Sequence, residues 1–275
     1  MIRTAPAPLG RLRPMRAFLL GTVFAGLAIG SASAETLSVT GITQGTSGSV
    51  YELSVPSVEV VDGNINEGAV RGLFTGAPGA LDALATLNAK SLTIPEIKIS
   101  YPSYVEGAGP STVTYRDITL TDVTNGVAAA AHIGGADFSG AESVTGTFGE
   151  MSVGRFDLAA MLGFYGLTTA PAAGTEMKEV YTDFKFSGGS LKAGDVFNCT
   201  FGTGELGGFS ARPLQHNFAE VNNLVMEAEA AQKAGTEVAP ETVDKLVRFY
   251  ADMFTAFSST PMTFTGFDCS GKDEK

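Results

Sequence analysis

Tryptophan is absent from this 275-residue chain, and histidine and cysteine occur only twice each. A zinc site needs clustered histidine and cysteine ligands, but His132 and His216 lie far apart, and neither an HExxH nor a CxxC pattern occurs. No GxSxG motif marks a nucleophilic serine. We therefore predict no catalytic residue, no metal ligand and no cofactor, and the composition favours a non-catalytic protein over an enzyme. The alternative is a hydrolase that uses paired carboxylates, because acidic residues are plentiful.

Positive charge is also scarce, with 18 lysines and arginines against 29 aspartates and glutamates and a net charge of −11. The first 34 residues hold four of the basic residues and none of the acidic ones, so the rest of the chain carries a net charge of −15. A surface this acidic repels phosphate groups, which excludes nucleic acid as a partner.

The first 34 residues are typical of a cleavable secretory signal peptide. Four arginines precede an apolar run at 17–29, which is shorter than the roughly 20 residues of a membrane span. The small residues at 31–34 predict cleavage between Ala34 and Glu35. No later segment is apolar enough to span a membrane, so we expect an extracytoplasmic protein, periplasmic or secreted, without an integral membrane span after signal cleavage. Residues 35–275 are predicted to form a single domain.

One stretch, 134–149, is rich in Gly, Ser and Thr and poor in large apolar residues, which predicts a loop and offers the alternative of a subdivision there. The two cysteines, Cys199 and Cys269, are an even pair in an exported chain, which predicts a disulfide. Two free buried thiols are the alternative.

An apolar pattern recurs along the chain. Residues 53–60 (LSVPSVEV) and 92–99 (LTIPEIKI) match position for position, with apolar residues spaced by two, three and two. Copies with the same spacing occur at 113–120, 151–158 and 262–269, and a shorter one at 37–42. Spacing by two places side chains on one face of a strand, and the extra residue would reverse the face unless a β-bulge absorbs it. We therefore predict bulged, twisted strands with one apolar face.

Helical spacing predicts four helices, at 78–88, 158–165, 218–235 and 240–257. The fold class is thus predicted to be α+β and mainly β. We expect a curved, twisted sheet of repeated bulged strands, packed by a few helices, with a C-terminal helix pair and a final strand.

Two motif matches are interpreted as structural. Residues 202–207 fit GxGxxG, but no helix pattern follows, so a flexible turn is predicted. Residues 62–66 resemble the start of a calcium loop, but Glu67 and Leu73 occupy the positions of its glycine and its closing glutamate, so a polar hairpin turn is predicted.

The spacing of the copies at 113–120 and 151–158 resembles that of AsmA-like envelope proteins, whose repeated strands build lipid-holding grooves, although the membrane anchor typical of that family has no counterpart here. The resemblance implies a lipid or another apolar molecule as ligand. From the residues alone, two hypotheses stay open: a binder of an apolar ligand, or a structural component that contacts an envelope protein. The first needs an unfilled apolar cavity, and the second a filled core with an exposed apolar patch or sheet edge.

Overall fold

A computed structural model describes residues 34–45, 51–77, 79–101, 109–140, 143–167, 176–214 and 218–271. Most of the predicted signal peptide (1–33), residue 78 at the start of one predicted helix, and His216 lie outside the described residues. The chain from Ala34 to Lys275 forms one compact unit. Its strands are β1 (Thr36–Gln44), β2 (Glu52–Val61), β3 (Ala89–Tyr101), β4 (Ser111–Val123), β5 (Val127–Ala128), β6 (Ala130–Ile133), β7 (Gly135–Ser139), β8 (Val144–Phe148), β9 (Met151–Val153), β10 (Phe156–Asp157), β11 (Lys178–Phe186), β12 (Gly189–Ala193), β13 (Phe197–Phe201), β14 (Gly204–Ala211), β15 (Phe257–Ser259), β16 (Met262–Phe264) and β17 (Asp268–Gly271). Its helices are α1 (Glu67–Thr75), α2 (Ala80–Ala85), α3 (Leu158–Phe164), α4 (Phe218–Lys233) and α5 (Pro240–Thr255).

The strands form one open, curved antiparallel sheet, as the repeated one-faced pattern predicts. Several short strands continue one another without losing register. Along the last strand, for example, β15 and β16 pair with β14, and β17 pairs with β13, in a single unbroken register. Joined in this way, the described residues make nine long strands, each antiparallel to the one before it, with β1 at one edge and β15–β17 at the other. The predicted mainly β fold with a C-terminal helix pair and final strand is confirmed.

The extra residue in each strand keeps the apolar side chains on one side. Val55 and Val58 flank the spacer in β2 and are both essentially inaccessible to solvent, at 0% and 1% exposure. Ile94 is buried in the same core, and Ile97 packs against it. The predicted common orientation of these pairs is therefore confirmed.

The extra residues do not shift the pairing register at these spacers. The pairing of β1 with β2 keeps one register on both sides of Gly41 and Pro56. The same holds for β2 with β3 and for β3 with β4. Each strand carries its own extra residue, which lies opposite the extra residue of the partner strand. We call these positions the breaks. They form a line across the sheet, and their effects on the pairing register cancel. A register shift occurs in the described pairings of β11 with β14, between Glu179 and Tyr181.

Glycines mark this line of breaks on five neighbouring long strands: Gly135, Gly149, Gly188, Gly202 and Gly266. A Cβ added to Gly202 would lie well within 3.0 Å of the Thr265 carbonyl oxygen, closer than real Cβ contacts. At Gly188 the added atom would lie 2.7 Å from the Phe201 carbonyl oxygen. Close approach of the neighbouring backbone therefore excludes a side chain at Gly202 and at Gly188.

The prediction of a loop at 134–149 is wrong. The stretch contains β7 and β8, which pair with each other from Ala136 opposite Phe148 to Ser139 opposite Thr145. Gly149 lies at one of the breaks, and its nitrogen donates a hydrogen bond to the Gly188 carbonyl oxygen over 2.7 Å.

Both motif interpretations also change. Gly204 begins β14 rather than ending a flexible turn, and an added Cβ there would collide with the rings of Phe186 and Phe264. The segment 62–66 joins β2 to α1 instead of making a hairpin. Asn66 is the N-cap of α1, its side chain accepting a hydrogen bond from the Ala69 nitrogen over 2.9 Å.

The helices cover two parts of one sheet face, which we call the inner face. The first core lies under α1 and α2 and includes Val39, Val70 and Leu87. The second lies among α3, α4, α5 and the strands β11 and β14, around Val180 and Phe249. The predicted helix at 78–88 is observed only as α2, whereas the other three predicted helices are present close to their expected bounds.

Cys199 and Cys269 form the predicted disulfide. They lie directly opposite each other in β13 and β17, with Cα atoms 4.1 Å apart. The bond therefore fastens the last strand to its neighbour and encloses the helix pair α4–α5 in the loop between them. Within the described ranges, no helix is both long and apolar enough to cross a membrane.

Candidate ligand-binding face

The inner face stays apolar beyond the area that the helices cover. Strand pairing places two rows of side chains side by side from β4 to the β16 edge. The first row is Ile118, Ile133, Met151, Phe186, Gly204 and Phe264; the second is Leu120, Ala131, Val153, Phe184, Leu206 and Met262. We call these two rows the apolar strip. Because each strand carries the same break, no strand turns its polar side inward here.

A pocket of about 230 Å³ opens on the part of the strip between β4 and β11. The residues that line it come from five strands and one helix: Ile118, Thr119, Leu120, Ala131, His132, Ile133, Met151, Ser152, Val153, Phe156, Met161, Tyr181 and Phe184. The lining is almost wholly apolar, as in most small-molecule sites. The pocket is therefore the best candidate site in the described part of the chain.

The pocket lies where the two cores meet without closing. Leu120 belongs to the first core, and Met161 and Tyr181 pack against the second. Phe156 packs against both. The part of the sheet between these cores carries apolar side chains like those of the cores, but no helix among the described residues covers them.

Aromatic rings extend the apolar surface toward the open edge. Phe186 and Phe264 meet edge to face, with ring centroids 6.1 Å apart, over the glycine that begins β14. Phe201 lies 6.0 Å from Phe186, and Phe148 lies 5.8 Å from Phe201. Exposure rises toward the edge, reaching 58% for Phe264 and 73% for Phe267. A large apolar surface of this kind, left open to water, is typical of an interaction or ligand site.

Charged groups border the pocket without facing into it. His132 alternates with the inward residues of β6, and its Nε2 lies 3.0 Å from a carboxylate oxygen of Glu150. Arg116 forms an ion pair with Asp137 on the neighbouring strand. In the lining itself, burial raises the pKa of the Tyr181 hydroxyl, because removal from water disfavours the phenolate. The site thus offers apolar contact and little charge.

Sequence reasoning did not identify the pocket residues as a site. Phe156 was assigned to a repeated strand and Met161 to a short helix, and both assignments are correct in structure. A signal for the site is nevertheless present in the sequence. The repeated strands carry more inward apolar residues than the helices can cover, which indicates an apolar surface left open. In the described ranges, no cluster of three or more His, Cys, Asp or Glu side chains could hold a metal. The absence of catalytic and cofactor residues remains a prediction.

A second apolar surface lies on the outside of α5. Val243, Val247, Tyr250 and Phe254 follow helical spacing and are 45–72% exposed. The opposite side of the helix packs on the second core through Phe249. We call the four exposed residues the α5 stripe.

No protein-family model, curated protein or solved structure shows significant similarity to the chain. The resemblance to AsmA-like proteins therefore stays an expectation from residue spacing.

Proposed function

We propose that this chain is an extracytoplasmic protein that binds an apolar ligand on the inner face of its sheet, without catalysing a reaction. The observation that carries the proposal is the apolar pocket between the two cores, together with the exposed aromatic surface that continues from it. Its volume, about 230 Å³, is slightly below the roughly 300 Å³ lower end for small-molecule sites. A ligand would therefore fill the pocket and extend over the strip.

The test compares two substitutions that differ by one position. Ala131 lines the pocket, whereas its neighbour Ala130 is exposed. Ala131→Phe should fill the pocket, and Ala130→Phe should leave it open. Losing burial of one medium-sized apolar group costs about 1.5–3 kcal/mol, so Ala131→Phe should weaken binding about ten-fold or more.

Binding can be measured with a neutral solvatochromic dye such as Nile red. Native mass spectrometry of protein purified from its own host should show a bound apolar molecule in the unaltered chain and the Ala130→Phe variant. Absence of dye binding and of any co-purifying molecule from the unaltered chain would refute the proposal. Equal dye affinity for the two variants, both folded, would place the ligand elsewhere.

The α5 stripe favours a second candidate, a structural role in contact with an envelope protein. Val247 and Phe254 are 61% and 72% exposed and leave an apolar helix face uncovered within the described chain. The double substitution Val247→Lys and Phe254→Lys should then abolish a cross-linked complex in the host envelope and leave dye binding unchanged. An unchanged cross-linking pattern would remove support for this role.

A further inference from the structure

The chemistry of the strip also bears on the class of ligand, provided that the proposed function holds. A carboxylate or phosphate carried into an apolar pocket needs a cationic or hydrogen-bonding partner, because burial of an unpaired charge is costly. Among the described residues that line the pocket, titratable side chains are limited to His132 and Tyr181. Neither presents a permanent positive charge.

The basic groups around the pocket already face carboxylates. His132 lies 3.0 Å from Glu150, and Arg116 forms an ion pair with Asp137. Arg155 lies 3.1 Å from a carboxylate oxygen of Asp157.

Lys185 alternates with two inward phenylalanines in β11 and is therefore directed to the outer face. With a chain net charge of −11, the surroundings repel an anionic headgroup.

The length of the pocket suits one hydrocarbon chain. It crosses four neighbouring long strands, and three gaps between strands amount to about 14 Å. One acyl chain spans half of a bilayer core, about 15 Å.

The end at β4 abuts the first core, where Leu120 is buried and Ile118 packs. At the other end the strip is open toward Phe264, where exposure is high. A chain that lies across the strands would thus enter from the β16 edge.

We infer that the ligand is an uncharged lipid with a single long acyl or alkyl chain. The chain lies across β4 to β11, and the neutral head remains at the β11 end of the pocket, on the side of the open β16 edge and in contact with water. Specificity in this arrangement comes from exclusion of charge, since the strip offers no ion-pair partner to an acidic headgroup.

The test uses two ligands that share a chain length and differ in charge: hexadecanol, kept below its solubility limit, and palmitate, kept below its critical micelle concentration. Each is titrated against the protein loaded with Nile red at neutral pH. Hexadecanol should displace the dye at a concentration about ten-fold or more below that needed for palmitate. Acidification that protonates palmitate should reduce the difference between the concentrations of the two ligands that displace the dye.

A matched pair of variants adds an independent readout. Met151 belongs to the strip and lines the pocket, whereas Ala130 is exposed and lies outside the lining. Met151→Lys should shift the preference toward palmitate, and Ala130→Lys should leave the order unchanged. If Met151→Lys does not fold, the comparison of hexadecanol with palmitate on the unaltered protein still tests the inference.

The outcomes separate the two levels of the proposal. Equal or tighter binding of palmitate would overturn the inference about charge and leave a lipid-binding function standing. The proposed function itself would be overturned if neither ligand displaced the dye and Ala131→Phe bound the dye as tightly as the unaltered protein.

Discussion

Replacing Gly202 by alanine tests whether the line of breaks requires glycine. The backbone nitrogen of Gly202 donates hydrogen bonds to the carbonyl oxygens of Thr265, at 2.9 Å, and Gly266, at 3.1 Å. The new Cβ would lie within 3.0 Å of the same Thr265 oxygen. Since that atom belongs to the backbone of a paired strand, relief requires the strands to separate. We expect a loss of about 1–3 kcal/mol, the usual cost of overpacking.

Gly208→Ala is the matched control in the same long strand. A Cβ there would meet its nearest atom, the Tyr181 carbonyl oxygen, at 3.5 Å, which is ordinary van der Waals contact. Alanine also lowers the conformational entropy of the unfolded chain, which stabilises compatible sites by about 0.4–1 kcal/mol. This variant should therefore be neutral or slightly more stable.

Urea unfolding followed by circular dichroism measures both variants against the unaltered protein. For a domain of this size, each kcal/mol shifts the melting temperature by about 2–4 °C. Gly202→Ala should therefore melt lower by roughly 2–12 °C, and Gly208→Ala should not. Equal unfolding midpoints for the two variants would show that the breaks tolerate side chains and that the explanation of the glycines is wrong.

Three further predictions concern the bridge, the pocket and the leader. Reduction of the disulfide, or Cys199→Ser, should lower the free energy of unfolding by about 4 kcal/mol, because the bond closes a loop of 70 residues. Hydrogen exchange should rise first after residue 217. A double variant that lacks Cys199 and Cys269 should show no change on addition of reductant. Above a pH of about 10 the Tyr181 hydroxyl loses its proton in the unfolded chain before it does so in the folded chain, because folding raises its pKa. The free energy of unfolding should therefore fall as the pH rises. Tyr181→Phe should reduce that fall, as measured by urea titrations at alkaline pH. N-terminal sequencing of exported protein should find Glu35 first, and a retained leader would contradict the predicted cleavage.

Local spacing predicts the strands and most helices because side-chain orientation within one strand depends only on neighbouring residues. Val55 and Val58 are three apart and both buried, as the repeat implies. The unshifted register could not be predicted in the same way. It depends on whether the partner strand also carries an extra residue, as at Gly41 opposite Pro56, and a single strand does not contain that information.

The missed elements have local causes. The 134–149 stretch is poor in large apolar residues, a composition that usually indicates a loop, yet it forms two paired strands. Helix α1 was missed although its signal was present. Asn66 before Glu67 is a favourable N-cap with an acidic first turn, but the same residues also resemble part of a calcium loop, a pattern that indicates a turn.

The matched breaks also explain why an apolar strip exists at all. A break in one strand alone would turn half of it over and place polar residues among the inward rows. With a break in each strand, the inward rows remain apolar from β1 to β17, and the helices cover only the two areas that form the cores. A sheet that required only a folded core could carry polar residues at Phe264 and Phe267, which contribute little burial at 58% and 73% exposure. Exposed rings at these positions favour aggregation without helping the fold, so their presence supports a surface that is covered by a ligand in use.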